Sequence, residues 1–183
     1  MRLFVVALLI AAIAFVGFRL TSKRAEERRL ASIAGEIAHR DVSIRCQGRV
    51  GELVDIDGEY GSVAFGADGR PGGGARLDRP ICASLARLER GKPVTVDAGS
   101  LAVEALAHES YHLAGVQDEA ATQCYALQAM RFVALRLGVS AEIGDAYVRA
   151  AVARYPTLPE AYRSVECREG GALDLHPETG VFP

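Results

Sequence analysis

The five residues His108-Glu109-Ser110-Tyr111-His112 hold the densest chemistry in the chain, and their spacing says what that chemistry can be. Two histidines four apart stand one turn above the other on a helix, with Cβ atoms roughly 5–6 Å apart. That separation lets both imidazoles reach one Zn²⁺ at about 2.0–2.1 Å, the ordinary zinc–nitrogen distance. Glu109 follows the first histidine, so it is rotated off the ligand face yet stays close enough to take a proton from a water on the metal. Zinc lowers the pKa of such a water toward about 7 and polarises a carbonyl, which are the two requirements of amide hydrolysis. The pattern predicts His108 and His112 as metal ligands and Glu109 as general base, with a peptide or protein as substrate. The plain alternative is a helix that merely carries two surface histidines.

A catalytic zinc keeps three protein ligands and one open position. The continuation Leu113-Ala114-Gly115-Val116-Gln117-Asp118-Glu119 offers two carboxylates, and Gly115 permits the left-handed turn that ends a helix and brings the chain back over the metal. Read to Asp118, His-Glu-x-x-His-x-x-Gly-x-x-Asp resembles the aspartate-bearing metzincin motif of snapalysin-like proteases. That resemblance implies Asp118 as the ligand and a methionine turn under the metal, whereas Met130 lies inside an expected helix. Read one residue further, Glu119-Ala120-Ala121-Thr122-Gln123-Cys124-Tyr125-Ala126 resembles the Glu-x-Glu-Ala-Asp/Asn-x-Phe-Ala segment of small membrane-associated gluzincins and of ImmA/IrrE-type peptidases. Glu119 then matches the ligand glutamate and Ala126 the closing alanine. Gln123 stands where the family has the Asp or Asn that orients a ligand histidine. This second resemblance, over about residues 104–130, implies a compact gluzincin-like zincin with zinc on His108, His112 and Glu119. Asp118 is the alternative third ligand; otherwise it caps the next helix or supports a histidine.

Further candidates are less specific. Tyr111, Tyr147, Tyr155 and Tyr162 each carry a hydroxyl that could stabilise a tetrahedral intermediate. His176, in a proline-rich tail, is expected to be exposed, with a minor alternative as a ligand or oxyanion donor. His39 falls in a charged stretch and is expected to be solvated.

The elements that must position these groups follow from periodicity and punctuation. Thr21 to Arg40 is rich in Ala, Glu and Arg, with Leu30, Ile33, Ala34 and Ile37 on one helical stripe. Strands are expected at Val42–Cys46, Arg49–Ile56 and Tyr60–Phe65, the last two joined into a hairpin by Asp57-Gly58. Gly66 to Gly74 reads as a flexible loop, since no Gly-Lys-Ser/Thr follows to make a phosphate loop. A helix is predicted over residues 80–90, with Pro80 in its first turn, Ile81, Leu85 and Leu88 on one face, and Gly91 after it. The β-branched triplet Val94-Thr95-Val96 reads as a short edge strand. Ser100 is expected to cap the helix carrying the two histidines, which Gly115 stops. A helix from Asp118 to Leu137 closes at Gly138, its Leu127, Met130, Val133, Ala134 and Leu137 at core spacing. Ser140 opens another that ends before Pro156. The tail beyond is irregular.

The chain has 183 residues, half of them apolar, enough for one core. A formal net charge of −2 supplies no basic field, so nucleic acid is not an indicated partner. Leu3 to Phe18 holds no charged residue; Arg2 precedes it, and Arg19, Lys23, Arg24, Arg28 and Arg29 follow. The run is on the short side of the roughly 17–25 residues a membrane span needs, but Arg19 and Leu20 could extend it by snorkelling. It reads as a transmembrane anchor. A cleaved signal is the rival, because Ala12-Ile13-Ala14 has the small-x-small form of a cleavage site, although the triplet lies inside the apolar run. Cys46, Cys82, Cys124 and Cys167 show no Cys-x-x-Cys spacing and read as two disulfides, though four buried free thiols would look the same in sequence; Cys46–Cys82 and Cys124–Cys167 are the favoured pairs because each would staple neighbouring elements. The cysteines favour an extracytoplasmic domain, the basic flank a cytoplasmic one, and Glu26, Glu27 and Glu36 dilute that flank.

The sequence therefore predicts an α+β fold: an anchor or uncleaved signal over 1–20, a juxtamembrane helix over 21–41, and a zincin-like domain over 42–183. That domain would have a small N-terminal β-hairpin or sheet and then a helical half holding the metal. The expected function is a membrane-anchored zinc metallopeptidase. The alternative is a non-catalytic domain that binds zinc structurally or binds a partner peptide.

Overall fold

The computed structural model describes residues 2–48, 60–180 and 182–183, with the backbone alone for 2–16 and 18–20. The described residues form a mixed α+β fold of five α-helices and one three-stranded sheet. The expected strand Arg49–Ile56 and its Asp57-Gly58 turn lie outside the described residues.

Helix α1 runs from Arg2 to Ala38. Its later turns carry the predicted stripe, and Leu30, Ile33 and Ala34 are buried in the core while Ile37 packs against it. Glu27 fastens this helix to the sheet: its carboxylate accepts from the Cys46 backbone N–H at 3.0 Å and pairs with Arg45 at 3.4 Å. Among the described residues no helix is long and apolar enough to cross a membrane. The side chains of the apolar run Leu3–Phe18, apart from Gly17, lie outside those described.

The sheet consists of β1 (Ser43–Cys46), β2 (Gly61–Phe65) and β3 (Pro71–Leu77) in the order β1-β3-β2, with β3 parallel to β1 and antiparallel to β2. The glycine-rich stretch expected as a flexible loop therefore contributes the central strand, and only residues 66–70 make the turn. There the Gly66 N–H donates to the Arg70 carbonyl at 2.9 Å, Gly69 has φ +73°, and Asp68 Oδ1 accepts from the Arg70 N–H at 3.1 Å. Glycine is required in this strand for close approach. A Cβ on Gly74 would come 2.8 Å from the Ser43 carbonyl oxygen of β1 and closer still to the Ser43 hydroxyl. Ile44, Ala75 and Leu77 turn the buried face of the sheet to the helices.

Helices α2 (Arg79–Glu89), α3 (Val96–Leu113), α4 (Glu119–Arg136) and α5 (Ala141–Arg154) follow the predicted punctuation closely. Pro80 sits in the first turn of α2 and Gly91 follows at φ +60°. Ser140 Oγ caps α5 by accepting from the Ile143 N–H, and the predicted core set on α4 is buried. One start differs. Val94-Thr95-Val96 forms no strand: Thr95 is the N-cap of α3, accepting from the Ala98 N–H, with Asp97 in the first turn. A β-branched hydroxyl before an acid serves a helix start as well as a strand, and among the described residues no strand pairs with it. Ser100 consequently lies inside α3, buried, donating to the Tyr147 carbonyl at 2.8 Å.

Helix α3 is the axis of the fold, packed by α1, α2, α4, α5 and the sheet. It is buried on nearly every side, and its small residues let neighbours come close; at Gly99 a Cβ would overlap the Tyr147 ring of α5. Disulfides Cys46–Cys82 and Cys124–Cys167 join β1 to α2 and α4 to the tail, the pairing favoured from sequence. Two such bonds and no free cysteine point to an oxidising, extracytoplasmic environment.

Candidate metal centre

The last turns of α3 carry both histidines, with ring centroids 4.6 Å apart. The helix then stops abruptly. Gly115 adopts φ +104°, and the Val116 N–H donates back to the Tyr111 carbonyl at 3.1 Å, so the chain reverses within a few residues. Asp118 N-caps α4, its Oδ1 accepting from the Ala121 N–H at 2.7 Å. Glu119, the first residue of α4, is aimed back at α3. Its Oε2 lies 3.1 Å from His108 Nε2 and 3.3 Å from His112 Nε2. Among the described residues His108, His112 and Glu119 are the group able to hold a metal ion, with one ligand atom from each within 4.8 Å of the others. Asp118 spends its carboxylate on the cap and stays outside the cluster. His176 is exposed in the tail beside Glu178, and His39 is exposed at φ +52°.

Hydrogen bonding gives the cluster its chemical character. His112 Nδ1 lies 2.7 Å from the Val116 carbonyl, which can only accept, so the proton of a neutral ring is on Nδ1 and the lone pair on Nε2. His108 Nδ1 lies 3.0 Å from Gln123 Oε1, an acceptor that favours the same tautomer. Two lone pairs and a carboxylate oxygen then face one another with no donor between them. Such a set repels itself unless a cation or a proton sits at its centre.

A proton on His112 meets the same demand. Burial lowers the pKa of His112, but Glu119, the Val116 carbonyl and Glu109 outweigh it and the net shift is upward. Burial alone would raise Glu119; its contacts to His108 and His112 prevail and bring it down to about 2. The raised histidine stabilises the metal-free fold fully below its ordinary 6.5, and this is lost as pH rises through the raised value. The depressed glutamate contributes above its ordinary 4.5 and is lost as pH falls toward 2. The protonated pair is thus most effective between these ordinary values, and metal must displace its proton. Zinc affinity is expected to fall about tenfold per pH unit below the His112 pKa. Competition titrations against a chromophoric chelator at several pH values would measure this; a flat profile would mean that His112 is not a ligand.

Around the cluster lies a cavity of about 680 Å³, within the usual range for ligand sites. Strand β2 forms one wall. Its Phe65 meets the His112 ring edge-on at 5.8 Å, and Gly61 lies against Glu109, where a Cβ would come within 2.8 Å of the carboxylate oxygen Oε1. Glu109 is buried and lines the cavity beside the cluster. The tail forms the other wall through Leu158, Pro159 and Tyr162, whose ring lies 5.9 Å from that of His108. Of the four candidate tyrosines Tyr162 alone lines this cavity. Tyr111 packs on Tyr125, Tyr147 is buried beneath α3, and the Tyr155 hydroxyl accepts from the Ser164 N–H at 2.8 Å.

Glu104 and Arg154 also line the cavity and were not singled out in the sequence. A signal for Glu104 existed: it lies one turn before His108, an acid within an otherwise apolar helix segment. Arg154 had none, because it meets α3 only through packing of α5. No protein-family model, curated protein or solved structure matches this chain.

Proposed function

We propose that this protein is a zinc-dependent peptidase of compact, gluzincin-like form, with zinc on His108, His112 and Glu119 and with Glu109 as general base. The observation that carries the reading is the convergence of three acceptor atoms, two of them fixed as lone pairs by their own ring hydrogen bonds, beside a buried carboxylate in a cavity large enough for a peptide segment. The donor set of two imidazoles and one carboxylate suits zinc and leaves a coordination position open. Bound there, zinc would supply Lewis acidity to a water and to a substrate carbonyl.

The chain's own residues account for the rest. Glu109 takes a proton from the attacking water on its carboxylate and passes it to the departing amine. Tyr162, the candidate tyrosine that lines the cavity, would supply the hydroxyl to an oxyanion. Strand β2 and the tail wall the cavity in which a substrate segment would lie. The uncharged run Leu3–Phe18 supports a membrane tether, and the disulfides support an extracytoplasmic domain.

The test uses the full-length protein with a peptide library. Cleavage is expected, abolished by a zinc chelator and restored by stoichiometric zinc. Stoichiometric zinc in a protein that cleaves no peptide would favour the non-catalytic zinc-binding domain, and failure to take up zinc would remove both readings.

A further inference from the structure

A chain of polar contacts leads from His108 away from the candidate metal cluster. His108 Nδ1 meets Gln123 Oε1 at 3.0 Å; the other end of that amide, Nε2, donates to Glu104 Oε1; and Glu104 Oε2 accepts from the Arg154 guanidinium. Ser100 Oγ lies 3.5 Å from the same guanidinium nitrogen and donates to the Tyr147 carbonyl, which fixes the far end of the chain to α5. Glu104, His108 and Gln123 are all buried.

We infer that Glu104 and Arg154 are positioning residues that set the orientation of the Gln123 amide and, through it, the metal-binding tautomer of His108. The inference rests on the ligand role of His108 proposed above. A glutamine amide can present either its oxygen or its NH₂ to a neighbour, and only the oxygen selects a ring with hydrogen on Nδ1 and a lone pair on Nε2. A carboxylate has no such ambiguity. Gln123 therefore needs a second neighbour to hold it, and Glu104, an acceptor only, takes the NH₂. Arg154, a donor only, takes the other carboxylate oxygen. Donor and acceptor roles thus run in one direction from the guanidinium to the ligand atom. The same geometry accounts for glutamine at position 123: a carboxylate there would face Glu104 at hydrogen-bond distance, like charge against like.

The isosteric change Glu104→Gln tests this without opening a cavity. Arg154 would claim the new amide oxygen, its NH₂ would face Gln123, and the Gln123 amide would turn over to present N–H to His108 Nδ1. Nitrogen-15 shifts of the His108 ring in metal-free, full-length protein, at a pH where the ring is neutral, are expected to move from the Nδ1–H toward the Nε2–H tautomer. Zinc affinity, measured by chelator competition, is expected to fall about 10–100-fold. Exchanging the two side chains, Glu104→Gln with Gln123→Glu, restores an acceptor-only partner to His108 at unchanged net charge, and both readouts are expected to return to wild type. A merely structural role would move neither the tautomer nor the rescue. An unchanged tautomer in Glu104→Gln, or an exchange variant that stays defective, would overturn the inference. The tautomer is read without metal, so this outcome stands apart from that of the peptidase reading. A wild-type protein that takes up no zinc sinks the peptidase reading and the ligand role of His108 with it, whereas an unchanged tautomer in Glu104→Gln sinks only the positioning role of Glu104 and Arg154.

Discussion

Glu109→Gln is expected to bind zinc as the wild-type protein does while losing about 10²–10⁴-fold in kcat/KM on a cleavable peptide, the usual contribution of a positioned general base. The reason is geometric. Glu109 lines the cavity beside the ligand cluster but is not one of the three converging donors, so under the proposed function its replacement removes the base and leaves the ligand set whole. Glutamine keeps the shape that packs against Gly61, where a Cβ would already be too close, and so preserves the wall formed by β2. What it loses is the capacity to accept the water's proton. The paired measurement is metal content by elemental analysis and cleavage by mass spectrometry on the same sample. Equal cleavage by the variant would sink the assignment of the base, and loss of zinc together with activity would mean that Glu109 acts on the metal.

The second large effect separates two adjacent carboxylates. Glu119→Ala is expected to lower zinc affinity by more than the 10–100-fold typical of residues that only support a ligand, because one of three donors is gone. Asp118→Ala is expected to keep zinc and to lose instead about 0.5–2 kcal/mol of stability, since its Oδ1 caps α4 on the Ala121 N–H. Chelator competition and thermal unfolding of both variants make a crossed comparison. The reverse pattern, with zinc lost from Asp118→Ala and kept by Glu119→Ala, would hand the ligand role to Asp118 and favour the metzincin form of the motif.

Much of the helical half was legible because its boundaries are written in single residues. Asp118, Ser140, Pro80, Gly91 and Gly138 are local signals whose hydrogen bonds and backbone angles close within a few residues. The sheet was harder to read. The first half of β3, Pro71 to Gly74, looked like a loop because glycine there meets a demand from another strand, the close approach of Ser43, which leaves no mark in the glycine segment itself. Thr95 misled for a related reason. A β-branched triplet fits a strand or a helix cap, and the choice depends on whether a partner strand is present.

The spacing of His108, Glu109 and His112 determined a candidate metal helix from sequence alone, because α-helical geometry repeats every turn whatever surrounds it. The nearby Gly115 and the two carboxylates narrowed the third ligand to a pair. In the tertiary structure α4 folds back so that Glu119, not Asp118, faces the imidazoles. The tertiary structure also decided which tyrosine lines the cavity, which strand covers Glu109, and that buried Glu104 and half-buried Arg154 stand behind Gln123. Those partners lie far along the chain, Arg154 fifty residues from Glu104, and they meet only because α5, β2 and the tail pack on one central helix. Packing of that kind depends on the shapes of whole faces, which no short stretch of sequence carries.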